Sequence, residues 1–349
     1  MERPVTETNQ ATELFQFVRE LPKAELHLHL EGSLEAQMML ELAERNQIDL
    51  AYDSVEEIQA AYDYSCLQDF LDLYYQGMSV LQTPDDFRDL AAAYMKRAAE
   101  DGVRHAEVFF DPQAHVSRGL AFEDVADGLI EGLMAGAEET GTSWGLIMCF
   151  LRDRSEEEAF EVFTTAWPYF DNGRISGVGL DSAEIGNPPE KFERVFAAAR
   201  DQGLYLCAHA GEEGPAQSVA DTLDLLQVHR IDHGIAAVND PALVDRLADN
   251  GIPLTACPLS NVRLRCVENM KEHPLKRLYE AGVCVTINSD DPAYFGGYVA
   301  ENYVAAATAL DLRKSDLAAL ALNSIGAANL DESRRLILLK DLAALASNI

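Results

Sequence analysis

The chain has 349 residues, 48% of them hydrophobic, ample for a large buried core. Its 27 basic and 59 acidic residues leave a formal net charge of −32. That balance argues against nucleic acid as a partner, because neutralising phosphates takes a basic patch. No apolar run reaches the roughly 18 residues that a membrane span needs, and the polar stretch 1–9 carries no apolar signal segment. Cys66, Cys149, Cys207, Cys257, Cys266 and Cys284 are scattered without a Cys-x-x-Cys pair, so a reduced, cytoplasmic protein is expected. The acidic residues are spread along helices rather than gathered in a tail. This suits an ordinary acidic enzyme, and also a salt-adapted one whose surface repulsion cations relieve.

Length alone allows two domains, but a single α/β barrel also occupies this range. Residues 12–21 read as a short helix, with Leu14, Phe15 and Val18 at helical spacing and Pro22 at its end. Residues 24–30 form the first strand and 34–45 a helix. The segment 49–81 interrupts the strand–helix rhythm with Tyr52, Tyr62, Tyr64, Phe70, Tyr74 and Tyr75. These rings either cap a pocket mouth or form a satellite core under a long connection. From Thr83 the rhythm is regular, opening on an N-cap hydroxyl, a first-turn Pro84 and the carboxylates of Asp85 and Asp86. Further strands are expected at 103–110, 144–151, 175–180, 204–208, 230–232, 252–256 and 283–287, most followed by a helix. Three helices near 298–310, 315–325 and 330–345 finish the chain. The strands are apolar with little alternation, as when both faces of a parallel sheet are buried. Eight alternating units most simply close into a (β/α)8 TIM barrel, one catalytic domain over 1–349 with 49–81 as a helical insertion near the mouth.

In such a barrel, chemistry belongs at the C-terminal ends of strands, and the polar residues fall there. His27 and His29 sit two apart in the first strand, so both imidazoles leave the same face. His209 ends the fifth strand as His-Ala-Gly-Glu, with Glu212 its last residue. His233 ends the sixth strand, and Asp290 and Asp291 end the eighth. Three imidazoles and one carboxylate, from His27, His29, His209 and Asp290, suit a borderline divalent ion, Zn2+ first. Such an ion lowers the pKa of water toward about 7. His233 then orients that water or accepts its proton, and Glu212 carries a proton to the substrate.

The stretch Glu25-Leu26-His27-Leu28-His29-Leu30-Glu31-Gly32-Ser33 resembles the adenosine/adenine deaminase family. So do His209-Ala210-Gly211-Glu212, Ile231-Asp232-His233-Gly234, Cys257-Pro258-Leu259-Ser260-Asn261 and Ser289-Asp290-Asp291-Pro292. The resemblance covers nearly the whole chain in the right order. It implies a barrel with one Zn2+ per chain that adds water at C6 of a purine base and expels ammonia. Carried over, Glu212 protonates N1, His233 handles the water and Asp291 bonds N7. An unprotonated N7 requires a protonated Asp291, which burial next to Asp290 favours, whereas an N7–H tautomer is met by an ionised one. Residues 175–187 contain no lysine to bridge two metals, and Cys257 is not followed by the second cysteine of cytidine-deaminase zinc sites.

Glu184 stands where nucleoside-specific members have glycine. A glutamate there is expected to fill the ribose space and accept N9–H of a free base, a bond no nucleoside can make. Glu31 replaces the aspartate that meets ribose in the nucleoside enzymes. Both point to the adenine deaminase branch: adenine to hypoxanthine and ammonia in purine salvage. N6-methyl- or isopentenyladenine and then adenosine are the alternatives. An inactive member acting as a binding protein is the alternative of another class. The sequence is compatible with a homo-oligomer and calls for no membrane.

Overall fold

The computed structural model describes Val5 to Ala346, with side chains described from Thr12 onward; residues 1–4 and 347–349 of the expected domain lie outside it. Eight parallel strands, β1 Lys23–Glu25, β2 Val103–Phe110, β3 Ser143–Leu151, β4 Gly177–Asp181, β5 Tyr205–Ala210, β6 Arg230–His233, β7 Leu254–Ala256 and β8 Val285–Ile287, pair in chain order. A parallel bridge between Leu28 and Asp290 carries the ring from the end of β8 back to the first strand. The strands are buried along nearly their whole length, because helices cover their outer faces and the barrel lining their inner ones. Inside, Phe109, Ile147, Cys149 and Cys207 pack into a cluster. Beside it Arg230 is fully buried and pairs with Glu107 and with Asp232, its Nε 2.9 Å from Asp232 Oδ1.

Local signals set the helix boundaries. Thr83 and Asp86 form a capping box that opens Pro84–Glu100, and Ser155 with Glu158 does the same for Glu156–Thr165. Asp240 caps Pro241–Asp249 by accepting from the Ala242 and Leu243 amides.

Several elements depart from expectation. The first helix begins at Val5. Regular β1 ends at Glu25, so His27 and His29 lie beyond it, held by the single bridges Leu28–Asp290 and His29–Phe109. The helix expected near 156–169 breaks at Ala166 into Glu156–Thr165 and Trp167–Asp171, with Pro168 in the first turn of the second. Short helices absent from the sequence reading, Pro112–Val116, Pro258–Arg263 and Pro292–Phe295, follow β2, β7 and β8.

The 49–81 segment forms the helices Val55–Ala60 and Leu67–Met78. Its Tyr62, Tyr64, Phe70 and Tyr74 are buried in the main core, while Leu67, Phe70, Leu71, Tyr74 and Tyr75 line the cavity at the C-terminal ends of the strands. Rings of this segment thus contribute to both the core and the cavity wall.

Candidate active site

The structure brings His27, His29, His209 and Asp290 together, with one ligand atom from each lying within 4.8 Å of the others, all four residues buried. Their outer contacts dictate which way the lone pairs face. Thr255 donates its hydroxyl to Asp232 Oδ1 at 2.9 Å, so its oxygen accepts from His27 Nδ1, also at 2.9 Å. His27 Nε2 is then the bare nitrogen, turned toward Asp290. His29 Nδ1 faces Asp181 Oδ2 at 3.5 Å, which likewise leaves Nε2 bare and pointing inward.

His29 Nε2 lies 3.2 Å from His209 Nε2. At that distance one of the two nitrogens must donate to the other, unless a cation is shared between them. The donor set of three neutral imidazoles and a carboxylate thus fits a borderline divalent metal. Burial first, then the neighbouring imidazoles, drives the titration of two of the histidines down: His29 to about 4, His209 well below its usual value. Burial alone would raise the Asp290 carboxyl, but the surrounding imidazoles of His27, His233 and His29 hold it well below the carboxylate range. Asp290 (φ 64°) and His233 (φ 60°) both have left-handed backbone, which non-glycine residues rarely adopt, as does Ser182 nearby (φ 70°).

The cavity beside this cluster is lined by Glu212, His233, Asp111, Asp181, Ser182 and Asp291, among others. Burial, then the charges of Asp290 and Glu184, pushes Glu212 well above the usual carboxyl range. Burial and the adjacent Asp290 do the same to Asp291, whose Oδ1 is buried without a partner. Both side chains are thereby biased toward their protonated forms. His233 Nε2 stands 3.5 Å from Glu212 and 3.7 Å from Asp290.

A chain of hydrogen bonds fixes the tautomer of His233. The Leu275 amide can only donate, so His273 Nδ1 accepts it at 3.1 Å and Nε2 carries hydrogen toward Asn261 Oδ1, also at 3.1 Å. Asn261 Nδ2 then donates to His233 Nδ1 at 3.2 Å, which leaves the ring hydrogen on His233 Nε2, facing the cavity.

Glu184 is placed elsewhere than expected. It does not line the cavity, and its oxygens accept from the amides of Gly211, Glu212, Glu213 and Gly214 and from the Ser218 hydroxyl. With every lone pair so occupied it has none left for an N9–H, and the reading of Glu184 as a base contact is revised accordingly. Glu31 is fully buried as well, taking His115 Nε2 at 2.9 Å and the Asp111 amide at 3.1 Å.

Sequence reasoning passed over Asp111 and Asp181, at the ends of β2 and β4. Each keeps a buried Oδ1 without a hydrogen-bond partner on the cavity wall, and burial raises Asp181 to about 7. The only available signal was their position at strand ends, where Asp111-Pro112 reads as a turn. Asn261 was named only as part of a motif, with no role of its own, because its helix was passed over.

Residues 22–345 match the family model described as adenosine deaminase. The chain belongs to the adenosine deaminase family. An adenine deaminase of Caulobacter vibrioides is 54% identical over 92% of this chain and 92% of its own length. One of Cupriavidus necator is 55% identical over 90% and 89%. The crystal structure of adenine deaminase from Arthrobacter aurescens superposes with a TM-score of 0.91 at 48% identity, covering 94% of this chain and 99% of that one. An amidohydrolase from Burkholderia ambifaria, solved with bound zinc, gives 0.87 at 27% identity over 100% and 96%. The family member described here is a hydrolytic deaminase acting on a C–N bond of a purine.

Proposed function

We propose that the chain converts adenine and water to hypoxanthine and ammonia, a step of purine salvage in the cytoplasm. The observation that carries the chemistry is a cavity in which a four-ligand cluster meets two proton-bearing carboxyls, Glu212 and Asp291. The choice of adenine rests on the relatives named adenine deaminase at more than half identity, since Glu184 is engaged away from the base. His27, His29, His209 and Asp290 would hold one Zn2+, which when bound supplies the Lewis acidity that makes water nucleophilic at neutral pH.

The chain's own residues do the rest. Glu212, kept neutral by its surroundings, delivers a proton to N1 and so makes C6 electrophilic. His233 presents an N–H at Nε2, which orients the attacking water by donating to it. Of the two roles open to His233, orientation is the one its tautomer supports. Protonated Asp291 donates to N7 through the oxygen that has no partner of its own. All these groups come from one chain, so a homo-oligomer is not needed to complete the site. The cysteines are free, which suits a reducing compartment.

The test is ammonia release from adenine, adenosine, N6-methyladenine and N6-isopentenyladenine, on protein of measured metal content. Adenine should give the highest kcat/KM. Faster release from adenosine or an N6-substituted base overturns the substrate assignment, and metal-loaded protein that releases no ammonia overturns the enzyme.

A further inference from the structure

The strand-end turn that carries Glu212 has no regular secondary structure of its own. β5 stops at Ala210, Gly211 turns the chain with φ 66°, and the next helix begins at Ala216. Between them lie four successive amides, and all four point at one carboxylate. Gly211 donates to Glu184 Oε1 at 2.8 Å, and Glu212, Glu213 and Gly214 donate to Oε2 at 3.1, 3.1 and 2.9 Å. Ser218 Oγ adds a fifth bond to Oε1 at 2.6 Å. A turn of consecutive amides closing on an anion is ordinarily a ligand-binding device, and here the protein's own side chain fills it.

We propose that Glu184 is a positioning residue: an internal anion that clamps the 211–214 turn and thereby sets the Glu212 carboxyl over the reacting purine. The inference rests on the reading of Glu212 as proton donor. Five donors on two oxygens hold both ends of the turn, so Glu212 cannot swing without breaking several charge-assisted bonds at once. Arg152 braces the same region, donating from Nε to Asn187 O at 2.9 Å and from Nη1 to His209 O at 2.8 Å. Burial opposes ionisation of Glu184, but the bonds from Ser218, Gly211 and Gly214 and the charge of Arg152 hold it below the usual carboxylate range. Gly214 is part of the fit, because a Cβ there would come within 2.7 Å of Glu184 Cδ.

The experiment compares kcat, KM for adenine and bound metal for the full chain and for E212Q, E184A, E184Q and G214A. E212Q should lose about 10²–10⁴-fold in kcat. E184A should lose about 10²-fold, the scale of a misplacement near 1 Å, with KM within about threefold and metal content unchanged. E184Q should fall between E184A and the parent, because its amide oxygen still accepts while its NH2 faces donors. If E212Q keeps the parent kcat, the reading of Glu212 fails and the inference with it. If E212Q is impaired while E184A is not, the clamp alone fails. A raised KM with kcat held would make Glu184 a substrate contact, and a joint loss of kcat and metal would make it a scaffold residue; either overturns the proposal. Should E184A not fold, G214A decides: a kcat loss with metal retained supports the clamp, and the parent kcat overturns it.

Discussion

Gly32 and Asp291 occupy adjoining space so tightly that no side chain fits at position 32. A Cβ built on Gly32 lies 2.6 Å from both Cβ and Cγ of Asp291, far inside van der Waals contact. The glycine of the first-strand motif therefore acts through the aspartate at the end of the eighth. Gly32→Ala must move Asp291 away from the position proposed for its contact with the base. We expect kcat/KM for adenine to fall about 10²-fold with bound metal unchanged, as for a small displacement of a substrate-positioning group. Parallel metal analysis and kinetics check this, and the parent kcat/KM would show that Asp291 tolerates the shift.

The protonation state of Asp291 gives a second outcome. Burial and the Asp290 charge favour its protonated carboxyl, the form that would donate to N7 in the proposed reaction. Asp291→Asn retains an N–H donor of the same shape, whereas Asp291→Ala retains none. Steady-state kinetics should therefore rank Asn well above Ala, by about tenfold or more, the scale of one hydrogen bond to a buried acceptor. Equal losses would indicate that an ionised carboxylate is required, as with an N7–H tautomer.

Much of this site was legible because strand ends are legible. Apolar runs closed by glycine or proline located β2 to within a residue, and the polar residues His209, Glu212, His233, Asp290 and Asp291 stood out after such runs. The structure brings all of them to one cavity. What could not be read was the direction of the loops beyond the strands. Ser182 turns left-handed after β4, and Glu184, two residues later, reaches the β5 turn instead of the cavity. No side-chain period extends through such a turn. Asn261 belongs to a six-residue helix, too short for an apolar stripe to announce. Its partner His273 lies twelve residues further on, and only the fold puts the two in contact.

That pair predicts a pH dependence. Burial lowers His273 to about 4 from its ordinary 6.5, so the native state keeps it neutral where the unfolded chain would protonate it. Between about pH 6.5 and 4 the unfolded state binds more protons, and stability falls as pH falls through that window. His273→Gln removes one such group. The slope of unfolding free energy against pH should become shallower by up to about 1.4 kcal/mol per pH unit there. Denaturant melts at pH 4.5, 5.5 and 6.5 measure it. An unchanged slope would mean that His273 does not titrate with folding. The same variant should lower kcat by loosening Asn261 and thus the His233 tautomer.

The approach of His29 Nε2 to His209 Nε2 makes metal part of stability as well as of chemistry. A cation held by these buried imidazoles and the Asp290 carboxylate would satisfy all four ligands at once. A metal that binds only the native state adds RT ln(1 + [M]/Kd), about 4 kcal/mol at a thousandfold excess over Kd. Chelation at neutral pH should therefore abolish ammonia release and lower Tm together, and Zn2+ should restore both. His209→Ala should lose activity and most of the bound metal, and its Tm should no longer respond to chelator. A chelated protein that keeps its Tm would show that these four residues are stable without a cation and do not form a metal site.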